Sequence, residues 1–153
     1  MSRLAVELVP STAWWSNVRS NVTRREWEIC KLFVRRRSDD HCEICGGQGS
    51  RHSVECHEIW HYDDERQIQT LVGLIALCPR CHEVKHIGRA LALGNWSRAL
   101  THLATVNGWS IEHADRYVAL QLEIHALRST HQWALDISYL NKLGLNPTVK
   151  DRA

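Results

Sequence analysis

Two Cys-x-x-Cys pairs carry the clearest chemistry in the chain: Cys42 with Cys45, and Cys78 with Cys81, with 32 residues between the pairs. Each pair forms a knuckle whose two thiolates reach one ion at about 2.3 Å, and two knuckles complete a tetrahedron. An all-thiolate tetrahedron leaves no open position, so the expected occupant is structural zinc. It would tie the loop at 42–45 to the start of a helix near residue 80. The intervening stretch is too long for a compact zinc ribbon, so an insertion lies there. Cys30 and Cys56 are unpaired by spacing and read as small apolar residues.

The histidines offer a second constellation. His82 and His86 lie four residues apart on a predicted helix and share one face, a common metal-binding geometry. Arg89 follows one turn later, and His82 adjoins Cys81 directly. The insertion supplies His57, Glu58 and His61. Taken alone, residues 57–61 spell the H-E-x-x-H pattern of zinc proteases, where two histidines on a helix bind zinc and the glutamate activates water. That pattern needs a long helix, whereas Val54, Glu55 and Cys56 look extended.

The elements that must position these groups follow from capping and periodicity. Thr23 and Glu26 have capping-box spacing, and a helix from there to Arg35-Arg36-Arg37 carries Trp27, Cys30 and Val34 as its apolar stripe. Residues 42–65 begin with a Gly-rich turn and continue into a strand from Val54 to Trp60. Residues 71–78 read as a buried β segment. One helix is expected from Arg80 to Leu93, ending at Gly94. Asn95 is expected to cap a helix to Val106. Ser110 should cap a longer one with Ile111, Ala114, Val118 and Leu122 inward. A last element of open type spans Trp133 to Leu143.

The chain has 153 residues, 44% hydrophobic and 24% charged, with net charge +2, which excludes a histone-like basic coat. The charge is uneven: residues 1–41 carry 8 basic against 5 acidic side chains, and residues 42–90 carry 5 against 7. The longest apolar run, Leu71 to Cys78, falls far short of the roughly 20 residues of a membrane span. Glu7 interrupts the first apolar run, so no secretory signal is read. A cytoplasmic location with reduced thiols is the expectation. One domain is expected (1–153): a helical arm (1–40), a metal core (41–93) and a helical extension (94–153).

The assembled order is C-x-x-C, then V-E-C-H-E-I, then L-I-A-L-C-x-x-C-H-x-x-x-H. It resembles the HNH endonuclease family over about residues 40–90. The resemblance implies an α+β fold with a ββα-metal core, a four-cysteine zinc site, and flanking N- and C-terminal helices. It implies a catalytic divalent ion (Mg²⁺, Mn²⁺, Ni²⁺ or Zn²⁺) held by His57, His82 and His86. Glu58 falls at the base position, where the family usually has histidine, and Gly73 falls where a central asparagine is usual. Arg89 would hold the phosphate. The implied activity is hydrolysis of DNA phosphodiester bonds, with RNA as a further substrate class. Phosphate contacts would come from Arg24, Arg25, Lys31, Arg35, Arg36, Arg37 and Lys85. The alternatives are an HNH-fold module that binds nucleic acid or protein without chemistry, and an H-E-x-x-H zinc hydrolase.

Overall fold

A computed structural model describes residues 3–49 and 54–149. The chain is α+β, with a small three-stranded sheet in the order β1-β2-β3 and helices on both of its faces. Strand β1 (Glu55–Asp63) pairs antiparallel with β2 (Ile68–Leu77), setting His57 opposite Ile75 and Glu58 opposite Leu74. The connecting turn is held by Asp63, whose Oδ1 accepts from the backbone N–H groups of Glu65 (3.1 Å) and Arg66 (2.9 Å). A bulge falls between Ile59 and Trp60, where Gly73 faces Ile59; a Cβ at 73 would meet the Ile59 side chain at 3.4 Å. The element of open type near the C-terminus is β3 (Ala134–Asp136), parallel to β2, followed by a 3-10 turn at Ser138–Leu143.

Among the described residues, six α-helices surround the sheet. Short α1 (Val18–Asn21) is capped by Asn17, whose side chain accepts from Ser20 N; the apolar pattern of the sequence did not announce it. Helix α2 (Arg24–Ser38) begins with the full capping box of Thr23 and Glu26. Cys30 and Val34 bury against Val54, Leu71, Leu74 and Ala76 on one face of the sheet. The single helix expected over 80–93 is two, α3 (Pro79–Lys85) and α4 (Ile87–Ala92), broken at His86 (φ −98°, ψ 48°). Gly88, a weak helix former, sits just past the break. The stop at Gly94 is as expected, in the left-handed region at φ +74°.

Helix α5 (Trp96–Asn107) starts after Asn95, but the Asn95 side chain makes no capping bond. Ser110 does cap α6 (Ile111–Arg128), accepting from His113 N at 3.1 Å. Ala114 and Val118 are buried as expected, whereas Ile111 is exposed. Helices α3, α5 and α6 join Leu4, Val6 and Leu77 in a second core. The described residues include no helix long and apolar enough to cross a membrane. The Gly-rich turn is described at its start, with Gly46 at φ +76°; residues 50–53 lie outside the described residues.

Candidate metal centres

Among the described residues two groups of ligand-type side chains converge, each with its ligand atoms within 4.8 Å of one another: Cys42, Cys45, Cys78 and Cys81, and His57, His82 and His86.

The cysteine group is built by two local turns. Gly46 N–H donates to Cys42 O (2.8 Å) and Cys42 N–H to Gly47 O (2.9 Å), folding the first knuckle back on itself. A side chain at Gly47 would crowd the Cys45 Sγ at 3.3 Å. The second knuckle uses the start of α3: Cys78 precedes Pro79, and Cys81 returns one turn later. Cys45 Sγ lies 3.6 Å from Cys78 Sγ. Tetrahedral ligands 2.3 Å from a shared ion stand about 3.8 Å apart, so this spacing suits a metal ion such as zinc. A bond from the Cys81 thiol pulls the Cys42 pKa down to about 4 and pushes that of Cys81 up. His102, on α5, places Nε2 3.3 Å from Cys81 Sγ. Its role was not legible in sequence, because α5 enters the site only through packing.

The histidine group takes one member from β1 and two from the α3 region. His57 is buried, and its Nε2 lies 3.1 Å from Glu7 Oε2. Its Nδ1 is buried with no hydrogen-bond partner, which leaves that nitrogen free for a ligand role. His82 gives Nδ1 to Glu55 Oε2 at 2.5 Å, and its Nε2 stands 3.1 Å from His86 Nε2. Three imidazole nitrogens thus face one point, and carboxylates behind two of them fix ring orientation, as in histidine-ligated metal sites. Burial, more than the neighbouring cations, pushes the His86 pKa down to about 4; burial also lowers that of His82, against the pull of Glu55. Neutral rings are what an ion requires. The orphaned Nδ1 and the three-nitrogen donor set both fit a transition ion better than Mg²⁺, which prefers oxygen.

Glu7 was missed in the sequence, where it served only to interrupt an apolar run. It reaches His57 across 50 residues because the arm docks here: Glu7 N–H donates to Lys85 O (3.0 Å), and Glu7 Oε1 accepts from Trp60 N–H (2.8 Å).

A cavity of about 590 Å³ opens on the triad, lined by His57, Glu58, His82, His86 and Arg89 and also by Trp14, Trp15, Trp27 and Trp60. Arg89 also lines a smaller cavity, of about 260 Å³, with Glu55, His82 and His86.

Glu58 is set differently from the imidazoles. Neighbouring side chains on a strand point to opposite faces, and Glu58 Oε1 accepts from Val18 N–H (3.1 Å). Burial, chiefly, raises its carboxyl pKa. His61 is exposed and stands outside the triad, and residues 57–61 form a strand. The H-E-x-x-H geometry, which needs both histidines on one helical face, is therefore absent.

The basic residues divide. Lys85 is 8% exposed, with Nζ 3.8 Å from Glu7 Oε2 and its pKa lowered by burial, so it belongs to the interior and is no surface phosphate contact. Lys31 pairs with Glu28, Arg35 with Asp40 and Arg37 with Glu43. Arg24, Arg25 and Arg36 are exposed and carry no ion pair among the described residues.

Compared with protein-family models, with curated proteins and with solved structures, the chain matches none of them.

Proposed function

We propose that the protein is a metal-dependent HNH-type endonuclease that hydrolyses phosphodiester bonds of DNA. The observation that carries this reading is the convergence of His57, His82 and His86, oriented by Glu7 and Glu55, on a cavity that also presents Arg89. The cysteine cluster would hold a structural zinc ion that braces the base of α3. A divalent ion at the imidazoles would supply positive charge to the scissile phosphate and its leaving oxygen.

The chain's own groups do the rest. Glu7 and Glu55 hold the rings so that one nitrogen of each faces the cavity. Arg89 binds a phosphate oxygen with its guanidinium. Although its Oε1 is held by Val18 N–H, Glu58 lines the same cavity, and its other oxygen would take the proton from the attacking water; burial raises its carboxyl pKa in the direction a general base needs.

Plasmid nicking with Mg²⁺, Mn²⁺, Ni²⁺ or Zn²⁺ tests this. Cleavage should occur with at least one ion, vanish in His86→Ala, and fall about 10²–10⁴-fold in Glu58→Ala. His61→Ala should cleave like the wild type.

A second reading, an HNH-fold module that binds nucleic acid without cutting it, draws on two observations. The Val18 N–H already occupies Glu58 Oε1, and Gly73 packs on Ile59 where an asparagine would be usual. DNA binding with no cleavage under any of the four ions would establish that reading and end the first.

A further inference from the structure

The cavity beside the histidines is far larger than one ion and its phosphate require, and four tryptophans are among its other lining residues. Trp14 and Trp15 enter from the turn after the 3-10 helix at Ser11–Ala13, Trp27 from the first turn of α2, and Trp60 from β1 just past the bulge. None of these four indoles packs on another ring among the described residues, although Trp109 and Trp133 elsewhere do. Trp14 is 77% exposed and Trp15 40%. Leaving two large apolar faces in water is unfavourable unless something covers them. Arg19 and Arg89 also line the cavity, so it pairs cationic groups with aromatic side chains. Its volume of about 590 Å³ lies within the roughly 300–1,000 Å³ typical of small-ligand sites, ample for a nucleobase and its sugar.

We propose that the tryptophan-lined part of this cavity takes up an unstacked nucleobase, so that the substrate is single-stranded or locally unpaired nucleic acid and not an intact duplex. Inside a duplex both faces of each base are covered by its neighbours, and no face is left for an indole. An unpaired base offers its face to any aromatic side chain, whatever its identity. With a phosphate at the histidine triad and Arg89, a flanking base falls beside Trp14 and Trp15 within the same cavity. This inference rests on the nuclease reading for the phosphate's position, but it is tested by binding alone.

The test is fluorescence anisotropy with labelled 12-residue oligonucleotides, in buffer without added divalent ions so that no strand is cut. Four probes are compared: a DNA single strand, its duplex, the same DNA backbone with abasic sites, and an RNA strand of the same sequence. The single strand should bind roughly tenfold more tightly than either the duplex or the abasic strand. Trp14→Ala and Trp15→Ala should each weaken single-strand binding by roughly tenfold while leaving duplex binding unchanged, and Trp15→Phe should restore most of it. An RNA strand that binds as tightly as DNA also supports the proposal, because stacking is indifferent to the sugar. Equal binding of abasic and intact strands overturns it, as does unchanged affinity in Trp variants whose circular dichroism matches the wild type. If a variant does not fold, the abasic comparison on the wild type decides. Failure of the nuclease reading looks different: strands are discriminated by their bases, yet no ion supports cleavage.

Discussion

At the scale of single residues, the histidine triad depends on groups outside it. Glu7 holds Nε2 of His57 and Glu55 holds Nδ1 of His82, so each ring has one nitrogen left for a ligand role. Glu7→Gln keeps the shape and removes the charge. Metal affinity at the imidazoles should fall about 10–100-fold by calorimetric titration, with the cysteine-bound ion unaffected. Glu58 makes a different prediction. Its carboxyl pKa is raised above the ordinary 4.5, so folding favours the protonated form. The associated stability is fully present below about pH 4.5 and is lost as the pH rises through the folded value. Glu58→Gln should therefore raise the melting temperature at pH 8, raise it less at pH 5, and abolish nicking at both. An unchanged melting temperature at pH 8 would contradict the buried charge. The ligands themselves were legible because Cys-x-x-Cys and His-x-x-x-His spacings are local. Glu7 and His102 were not, because their partners stand 50 and 21 residues away.

At the scale of elements, legibility followed the same rule. Helices α2 and α6 announce themselves by caps that the chain writes within four residues: Thr23 with Glu26, and Ser110 with His113 N. Thr23→Ala should cost about 1 kcal/mol in chemical denaturation without altering metal content. The break at His86 was not legible, since residues 80–93 have helical character throughout. It follows from tertiary demands: Val84, Ile87 and Ala90 are all buried, while His82 and His86 must still meet His57. Parallel β3 was invisible for a related reason, because its partner is 66 residues earlier at Ile68–Thr70. If the cysteine cluster holds an ion that braces the start of α3, Cys78→Ser should release it and lower the melting temperature by well over 10 °C. A variant that keeps its melting temperature would remove the ion from the fold's support.

At the scale of the molecule, the sheet separates two cores. Helices α1 and α2 cover one face, and α3, α5 and α6 form the other side with the arm. The wild type should carry about one tightly bound zinc per chain and take up a second, weaker ion at the imidazoles. The uneven charge seen in the sequence resolves into a helix whose cations are partly committed. Of the six on α2, Lys31, Arg35 and Arg37 are held in ion pairs. If α2 contacts phosphates in the proposed substrate, Arg24, Arg25 and Arg36 are the ones that would release counterions. Replacing each by alanine should flatten the slope of log affinity against log salt by about 0.9. Equivalent flattening from Lys31→Ala or Arg35→Ala would show that those ion pairs break on binding.

The docking of the arm has a consequence for the order of assembly. Arg3 and Leu4 N–H groups donate to the Asn107 side chain and Val6 N–H to Tyr117, so the arm closes loops of more than one hundred residues before Glu7 can reach His57. The first cysteine knuckle is complete within four residues, and the two knuckles lie only 32 apart. Loops of very different length close at different times. During refolding with Co²⁺, the thiolate charge-transfer absorption should therefore rise before the imidazole-site band, and Glu7→Ala should weaken only the second. Maturation in two steps would leave a stage at which the protein is braced but not yet armed.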